Sequence, residues 1–238
     1  MKILAIDSTA IAASVAVCDD QRLVALYTVN NGNTHSETLL PMVESVLKTA
    51  KLTTSDIDLF AVSNGPGSFT GVRIGCATVK GLAFGRDIPM IGVSTLEALA
   101  YNLKGSEGII CPVMNARRGQ VYNALFTIDG DRLIRLTPDR AISVKELAGE
   151  LSENDEYKSK KIFLAGDGCE ITAPAIPNER LGTTHPFMEH QNAYSVAVCA
   201  LEAFKQGKAV TDTELAPTYL RPSQAERERM EKLEKGMI

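Results

Sequence analysis

The sequence predicts an α/β fold built as two related subdomains, and three observations carry that expectation. Short apolar runs alternate with amphipathic stretches of helical period along most of the 238-residue chain. In each half, strand-like runs come first and helices alternate with strands only afterwards. A strand ending in a polar residue, then a tight turn and a second strand, occurs at Asp7 and again at Asn115. The length exceeds the most common single-domain size. A seam is therefore expected near Tyr101–Gly108, dividing the chain into 1–104 and 105–238.

In the first half, Ile3–Ile6, Ser14–Cys18 and Leu23–Val29 read as three successive strands with tight turns between them. Thr34-His35-Ser36-Glu37 opens an amphipathic helix with Leu39, Leu40, Val43, Val46 and Leu47 on its apolar face. Asp58–Ser63 is a strand, then come a glycine-rich helix, a strand Pro89–Val93 and a helix from Ser94 to about Leu103. This is the element order of a ribonuclease-H-like unit. The second half restarts at Gly108 with strands Ile109–Met114, Val121–Thr127 and Leu133–Thr137. A helix Val144–Leu151, a strand Ile162–Ala165 and a helix Tyr194–Phe204 follow. A charged terminal helix is expected at about Ser223–Glu234.

Composition narrows the classes. Five scattered cysteines, without any CxxC pair, favour buried thiols in a reducing compartment over disulfides or a zinc site. Asp7 interrupts the N-terminal apolar run, so no secretory signal is read there, and no stretch approaches the ~20 apolar residues of a membrane span. A cytoplasmic protein is expected. The net charge of −4 argues against this chain holding nucleic acid by itself, because phosphate neutralisation dominates such affinity. Arg227 and Arg229 are surrounded by Glu226, Glu228, Glu231 and Glu234 and read as solvated helix surface.

The densest stretch is Ser63–Gly85, SNGPGSFTGVRIGCATVKGLAFG. Gly65-Pro66-Gly67 ends the strand, and Ser68 or Thr70 can cap a helix beginning near Gly71. Val72, Cys76, Val79 and Ala83 form its buried stripe, whereas Gly71, Gly75, Thr78, Leu82 and Gly85 form a face with little bulk. Glycine costs about 1 kcal/mol per helix-interior position. Such a face implies close approach of another backbone or a ligand, or close packing on the protein's own sheet; the sequence leaves both open. Arg73, Ala77, Lys80 and Phe84 share a neighbouring face that is basic and partly apolar.

GPGSFTGVRIG and KGLA, with KILAIDST, ARRGQVY and PTYLRP in order, resemble the bacterial TsaB (YeaZ) family from Ile3 to about Arg221. The resemblance implies the actin-like, sugar-kinase and Hsp70 ATPase superfamily fold, with two ribonuclease-H-like subdomains. It also implies a non-catalytic subunit of the complex that makes threonylcarbamoyladenosine beside the tRNA anticodon. The partners would be TsaD directly, TsaE, and tRNA through the complex, with a homodimer through the same helices as a further possibility. His35, Leu39, Val43, Gly71, Arg73, Gly75, Thr78, Lys80 and Leu82 are the expected partner-interface residues. The chain would carry no cofactor of its own; ATP or ADP and metal would belong to partner subunits.

An enzymatic alternative is an ATPase or small-molecule kinase using Asp7. In the superfamily, Asp7-Ser8-Thr9 would occupy the first phosphate-contacting turn and form a nucleotide site. The plainer reading is that they close a β-turn. The matching turn of the second half carries Asn115, where relatives commonly carry Asp, and an amide is a weaker magnesium ligand and no base. Gly166-Asp167-Gly168 is a thin adenosine-loop signal. Thr95 and Leu99 stand where the resemblance places the two metal-binding histidines of TsaD, which argues against a metal centre and against metallopeptidase activity. His185 and His190 lack an obvious third ligand. Ser68 lacks the glycine of a nucleophile elbow and is expected to cap, and Arg117-Arg118 are expected at a solvent-facing turn. No catalytic residue is assigned.

Overall fold

The computed structural model describes residues 1–221, so the expected helix Ser223–Glu234 lies outside the described residues. The first lobe is a five-stranded sheet of β1 (Lys2–Asp7), β2 (Ala13–Asp19), β3 (Arg22–Val29), β4 (Leu59–Gly65) and β5 (Met90–Ser94). Its order is β3-β2-β1-β4-β5, with β1 antiparallel to β2, β2 to β3, and β1, β4 and β5 mutually parallel. Two helices join the parallel strands, α1 (His35–Ala50) and α2 (Phe69–Ala83). This is the ribonuclease-H-like arrangement expected. Strand alternation decides the packing: Leu4 and Ile6 face a core shared with Leu39, Val43 and Val46 of α1 and Val72, Cys76 and Val79 of α2. Ile3 and Ala5 face the other way.

A helix α3 (Thr95–Asn102) leads to the second lobe. It wedges between the lobes: Ala98 packs under the first sheet, while Leu96 and Leu99 pack with Ile110, Met114 and Phe126 of the second. The second sheet contains β6 (Ile109–Arg117), β7 (Gln120–Asn123), β8 (Phe126–Asp129), β9 (Arg132–Arg135), β10 (Arg140–Ser143) and β11 (Ile162–Ala165). Strand order runs β10-β7-β6-β8-β9, with β6 meeting the β8–β9 hairpin at the Ile110–Phe126 pair, and β11 lies off that path, parallel to β6. A helix α4 (Val144–Glu153) covers one face with Leu147 and Leu151, and a short α5 (Cys169–Thr172) follows β11. The second lobe thus repeats the plan of the first.

Three expectations are corrected. The strand expected at Val121–Thr127 is broken into β7 and β8. Pro112, opposite the break, has no N–H to continue the ladder, and the buried Asn123 amide donates instead to the Pro112 and Ala124 carbonyls. The strand expected at Leu133–Thr137 is β9 of the inserted hairpin, and the third strand of the repeat is the unforeseen β10, which pairs with β7. The division at 104/105 does not hold for the C-terminal part. A helix α6 (Ala193–Lys205) packs Ala193, Val196, Ala197, Ala200 and Leu201 on Ile3, Ala5, Ala16 and Ala61, so it serves the first sheet. Small residues on both surfaces let helix and sheet approach closely.

The small-residue face of α2 packs within the chain. A Cβ on Gly71 would fall on the Ser8 carbonyl oxygen, and one on Gly75 would lie 2.7 Å from Ser8 Oγ and 3.2 Å from Val62 Cγ2. Alanine's better helix propensity alone would favour both replacements by about 1 kcal/mol. Gly71→Ala is nevertheless expected to destabilise by about 1–3 kcal/mol, since a backbone oxygen cannot yield. Gly75→Ala should cost less, because a side-chain hydroxyl can turn aside where a backbone oxygen cannot, although Ser8 then gives up its bond to the Gly71 carbonyl. Urea unfolding of the two variants checks the order; a Gly71→Ala protein at least as stable as the parent would contradict the packing.

Candidate functional site

The inter-lobe cleft, about 720 Å³, is built from the turn after β1, the start of α2, the end of β6 and the segment 218–221. Its lining includes Thr9, Ile11, Pro66–Thr70, Asn115, Arg117, Asp167 and Glu170. The turn after β1 is closed by its own hydrogen bonds. Asp7 is 1% exposed. One carboxylate oxygen accepts from Thr9 N at 2.9 Å and Thr9 Oγ1 at 2.7 Å, and the other accepts from Ser63 Oγ at 2.5 Å. Burial pushes the Asp7 carboxyl above the usual carboxylate range; the Ser63 and Thr9 hydrogen bonds and nearby His35 oppose that rise. Ser8, fully buried, donates from Oγ to the Gly71 carbonyl at 2.9 Å, and the Thr9 carbonyl accepts from Ser68 N at 2.7 Å. Of the three expected nucleotide-contacting residues only Thr9 lines the cleft.

Across the cleft, Asn115 Oδ1 accepts from Arg117 N at 2.9 Å, and Asn115 N donates to Asp167 Oδ1 at 3.0 Å. Burial raises the Asp167 carboxyl above its ordinary value, with that backbone hydrogen bond pulling against it. Arg117, Arg118 and Gly119 all have positive φ, which makes the tight β6–β7 turn. The side-chain oxygens at both matching turns are therefore engaged in turn geometry, and the cleft offers two carboxylates, Asp167 and Glu170, from a different loop. Thr95 and Leu99 are buried and neither lines the cleft. Among the described residues no group of three or more His, Cys, Asp or Glu is placed to hold a metal. His185 Nδ1 instead accepts from Phe187 N. The five thiols are free, and burial pushes Cys18 up to about 12 and Cys76 up to about 11.

The expected interface residues do not form one exposed face. Leu39 and Val43 are each 1% exposed and belong to the first-lobe core, and Gly71 and Gly75 are covered by Ser8, so these four cannot touch a partner from this arrangement. Leu82 is partly buried against the same core, and Thr78 Oγ1 donates back to the Ile74 carbonyl. His35 Nε2 donates to the Ala10 carbonyl at 2.6 Å, tying α1 to the cleft turn. Arg73 Nε donates to Tyr219 Oη at 2.7 Å, its guanidinium 4.0 Å from the Phe69 ring centre, and Lys80 Nζ donates to the Leu215 carbonyl at 3.0 Å. What α1 and α2 do present is Leu40, expected in the core but 49% exposed, with Glu44 and Lys48, and Arg73, Ala77, Gly81 and Phe84, the last 81% exposed. Ser68 caps α2 through Gly71 N, as expected.

The family profile described as TsaD: tRNA N6-adenosine threonylcarbamoyltransferase matches residues 30–229. The tRNA threonylcarbamoyladenosine biosynthesis protein TsaB of Bacillus subtilis is 32% identical over 95% of this chain and 96% of its own length. The protein of the same name from Escherichia coli K12 is 32% identical over 93% and 95%. YeaZ from Pseudomonas aeruginosa superposes with a TM-score of 0.78 at 26% identity, covering 92% of this chain and 99% of that one.

The Asp7 network generates a test. In Asp7→Ala, the Thr9 amide, the Thr9 hydroxyl and the Ser63 hydroxyl lose their acceptor, each at about 1–3 kcal/mol. Asp7→Asn keeps an oxygen for Thr9 and presents an amide to Ser63, which can accept. The raised folded-state pKa means that Asp7 binds its proton more tightly folded than unfolded. Its contribution therefore weakens as pH rises above 3.8 through the raised value. Asp7→Asn should fold, match or exceed the parent's melting temperature at neutral pH and lack that part of the pH slope, whereas Asp7→Ala should melt markedly lower. Thermal melts across pH check this; equal losses for both variants would contradict it.

Proposed function

The chain belongs to the TsaB (YeaZ) family of tRNA threonylcarbamoyladenosine biosynthesis proteins, and from that premise we propose that it is a non-catalytic scaffolding partner of TsaD. The observation that carries the reading is the closed state of the Asp7 turn. Both carboxylate oxygens are spent on Thr9 and Ser63, so the group that would orient magnesium-bound water in an ATPase of this superfamily is committed to the fold. Asn115 at the matching turn offers no second carboxylate.

The threonylcarbamoyl group, delivered as threonylcarbamoyl-adenylate, would be transferred to tRNA in TsaD, with TsaE and tRNA joining through the assembled complex. The partner surface would be the outward side of α1 and the exposed end of α2, where Leu40 and Phe84 leave apolar area in water. Burying such side chains supplies association energy at about 25 cal/mol per Å² removed from water. A second copy of this fold offers the same pair of helices, which would also allow a self-dimer. With a net charge of −4, the isolated chain should hold tRNA weakly.

The purified chain mixed with TsaD should form a complex of defined mass, and alone, with threonylcarbamoyl-adenylate and tRNA, should yield no modified adenosine. Leu40→Asp with Phe84→Ala should weaken that association by about tenfold or more, roughly 1.4 kcal/mol, without lowering the melting temperature. Product formed by the isolated chain, or full association of the double variant, would contradict the reading.

A further inference from the structure

Beyond α6 the chain returns across the molecule in a segment with no regular structure, residues 206–221, whose contacts are graded along its length. Val210 and Met90 exchange two backbone hydrogen bonds, 2.9 and 3.0 Å, at the edge of the first sheet. Leu215 is 3% exposed within the α1/α2 core. From there outward the contacts lie at or near the surface. Thr218 N donates to the Asn64 carbonyl at 2.7 Å, and Asn64 Nδ2 donates to the Ala216 carbonyl at 3.1 Å and to Thr218 Oγ1 at 3.2 Å. Gly65, at φ +118, admits the Thr218 carbonyl where a Cβ would stand. Tyr219 stacks on Phe69 with ring centres 4.3 Å apart and an interplanar angle of 20°. Arg221 then crosses to the second lobe, donating from Nη1 to the Ala116 carbonyl of β6 at 2.9 Å.

The cations expected to serve a partner, Arg73 and Lys80, are thus the groups that hold this segment on α2. Thr218 to Arg221 form one wall of the cleft, which no residue of α3 lines. The lobes are also joined along α3, through its buried packing and through Arg135 to Glu97 at 2.8 Å and Ser94 to Asp139 at 2.5 Å. The α3 connection has a buried apolar core with polar pairs at its rim; the other is a run of polar and aromatic contacts at or near the surface.

We propose that residues 210–221 form a latch: anchored by Val210 and Leu215, its outer end from Thr218 to Arg221 holds the lobes across the cleft, and its release from α2 opens the cleft. Surface contacts of this kind open locally at far lower free energy than a core does. The outer end can therefore peel while Leu215 stays buried. Because Arg73 and Lys80 lie on α2, whatever binds these cations on α2 also acts on the latch.

The full chain tests this without any partner. Dyes on Lys48→Cys in the first lobe and Lys145→Cys in the second, in a Cys169→Ser background, report the separation of the lobes, while hydrogen exchange reports Thr218. Arg73→Ala with Tyr219→Ala should speed exchange at Thr218 by about tenfold or more and shift the dye separation to longer, broader values, with the melting temperature kept. Arg221→Ala, which leaves every contact to the first lobe in place, should lengthen the separation while Thr218 stays protected. Faster exchange with unchanged separation would overturn the latch and leave a surface cover. Unchanged exchange at Thr218 in the double variant would overturn it as well, since Arg73 and Tyr219 would then not be what holds the segment.

Discussion

The hydrogen-bonded knot at the end of β1 is the constraint on which the rest of this molecule depends. Asp7 ties β1 to β4 through Ser63 and closes its own turn through Thr9. Ser8 ties the same turn to the backbone of α2, and the glycines at 71 and 75 remove the side chains that would keep α2 away. Ser68 is fixed from both sides: its amide donates to the Thr9 carbonyl and its hydroxyl oxygen accepts from Gly71 N. The depth of the cleft, the direction of α2 and the platform under Phe69 all follow from this seat. Burial makes charge expensive here, and the hydrogen bonds from Thr9 and Ser63 offset part of that cost.

The same knot carries the proposed function. The Asp7 carboxylate is buried and holds Thr9 and Ser63 rather than lining the cleft. The lobes, the cleft and the helix pair beside it form a shaped surface around that turn. Scaffolding, the role proposed above, is one use of such a surface.

Much of this was legible in the chain. The first-lobe strands and helices were readable from period and turn residues, because the strands run five to eight residues and α2 and α3 start at the capping serines Ser68 and Ser94. Close approach at Gly71 and Gly75 was readable too, though what approaches was not: only the fold shows that Ser8 stands there. The second sheet was less readable because its strands are short. Pro112 interrupts the β6–β7 ladder opposite a run that reads as one strand, and β10 has four residues, too few for a pattern. Leu39 and Leu40, adjacent and equally apolar, separate into core and surface only when the helix phase is fixed. Residues 210–221 carry little periodicity, so their role across the cleft was invisible before the tertiary contacts were known.

The most direct test of the account is the activity of the reconstituted complex carrying Asp7→Asn. Threonylcarbamoyladenosine formation is measured with TsaD, TsaE, tRNA and threonylcarbamoyl-adenylate, at matched concentrations of folded protein. If Asp7 serves only the fold, the variant complex should turn over within about twofold of the parent, since no transition-state contact has been removed. A loss of a hundredfold or more, about 2.7 kcal/mol, in a variant that still folds and still binds TsaD would contradict it and return Asp7 to the chemistry.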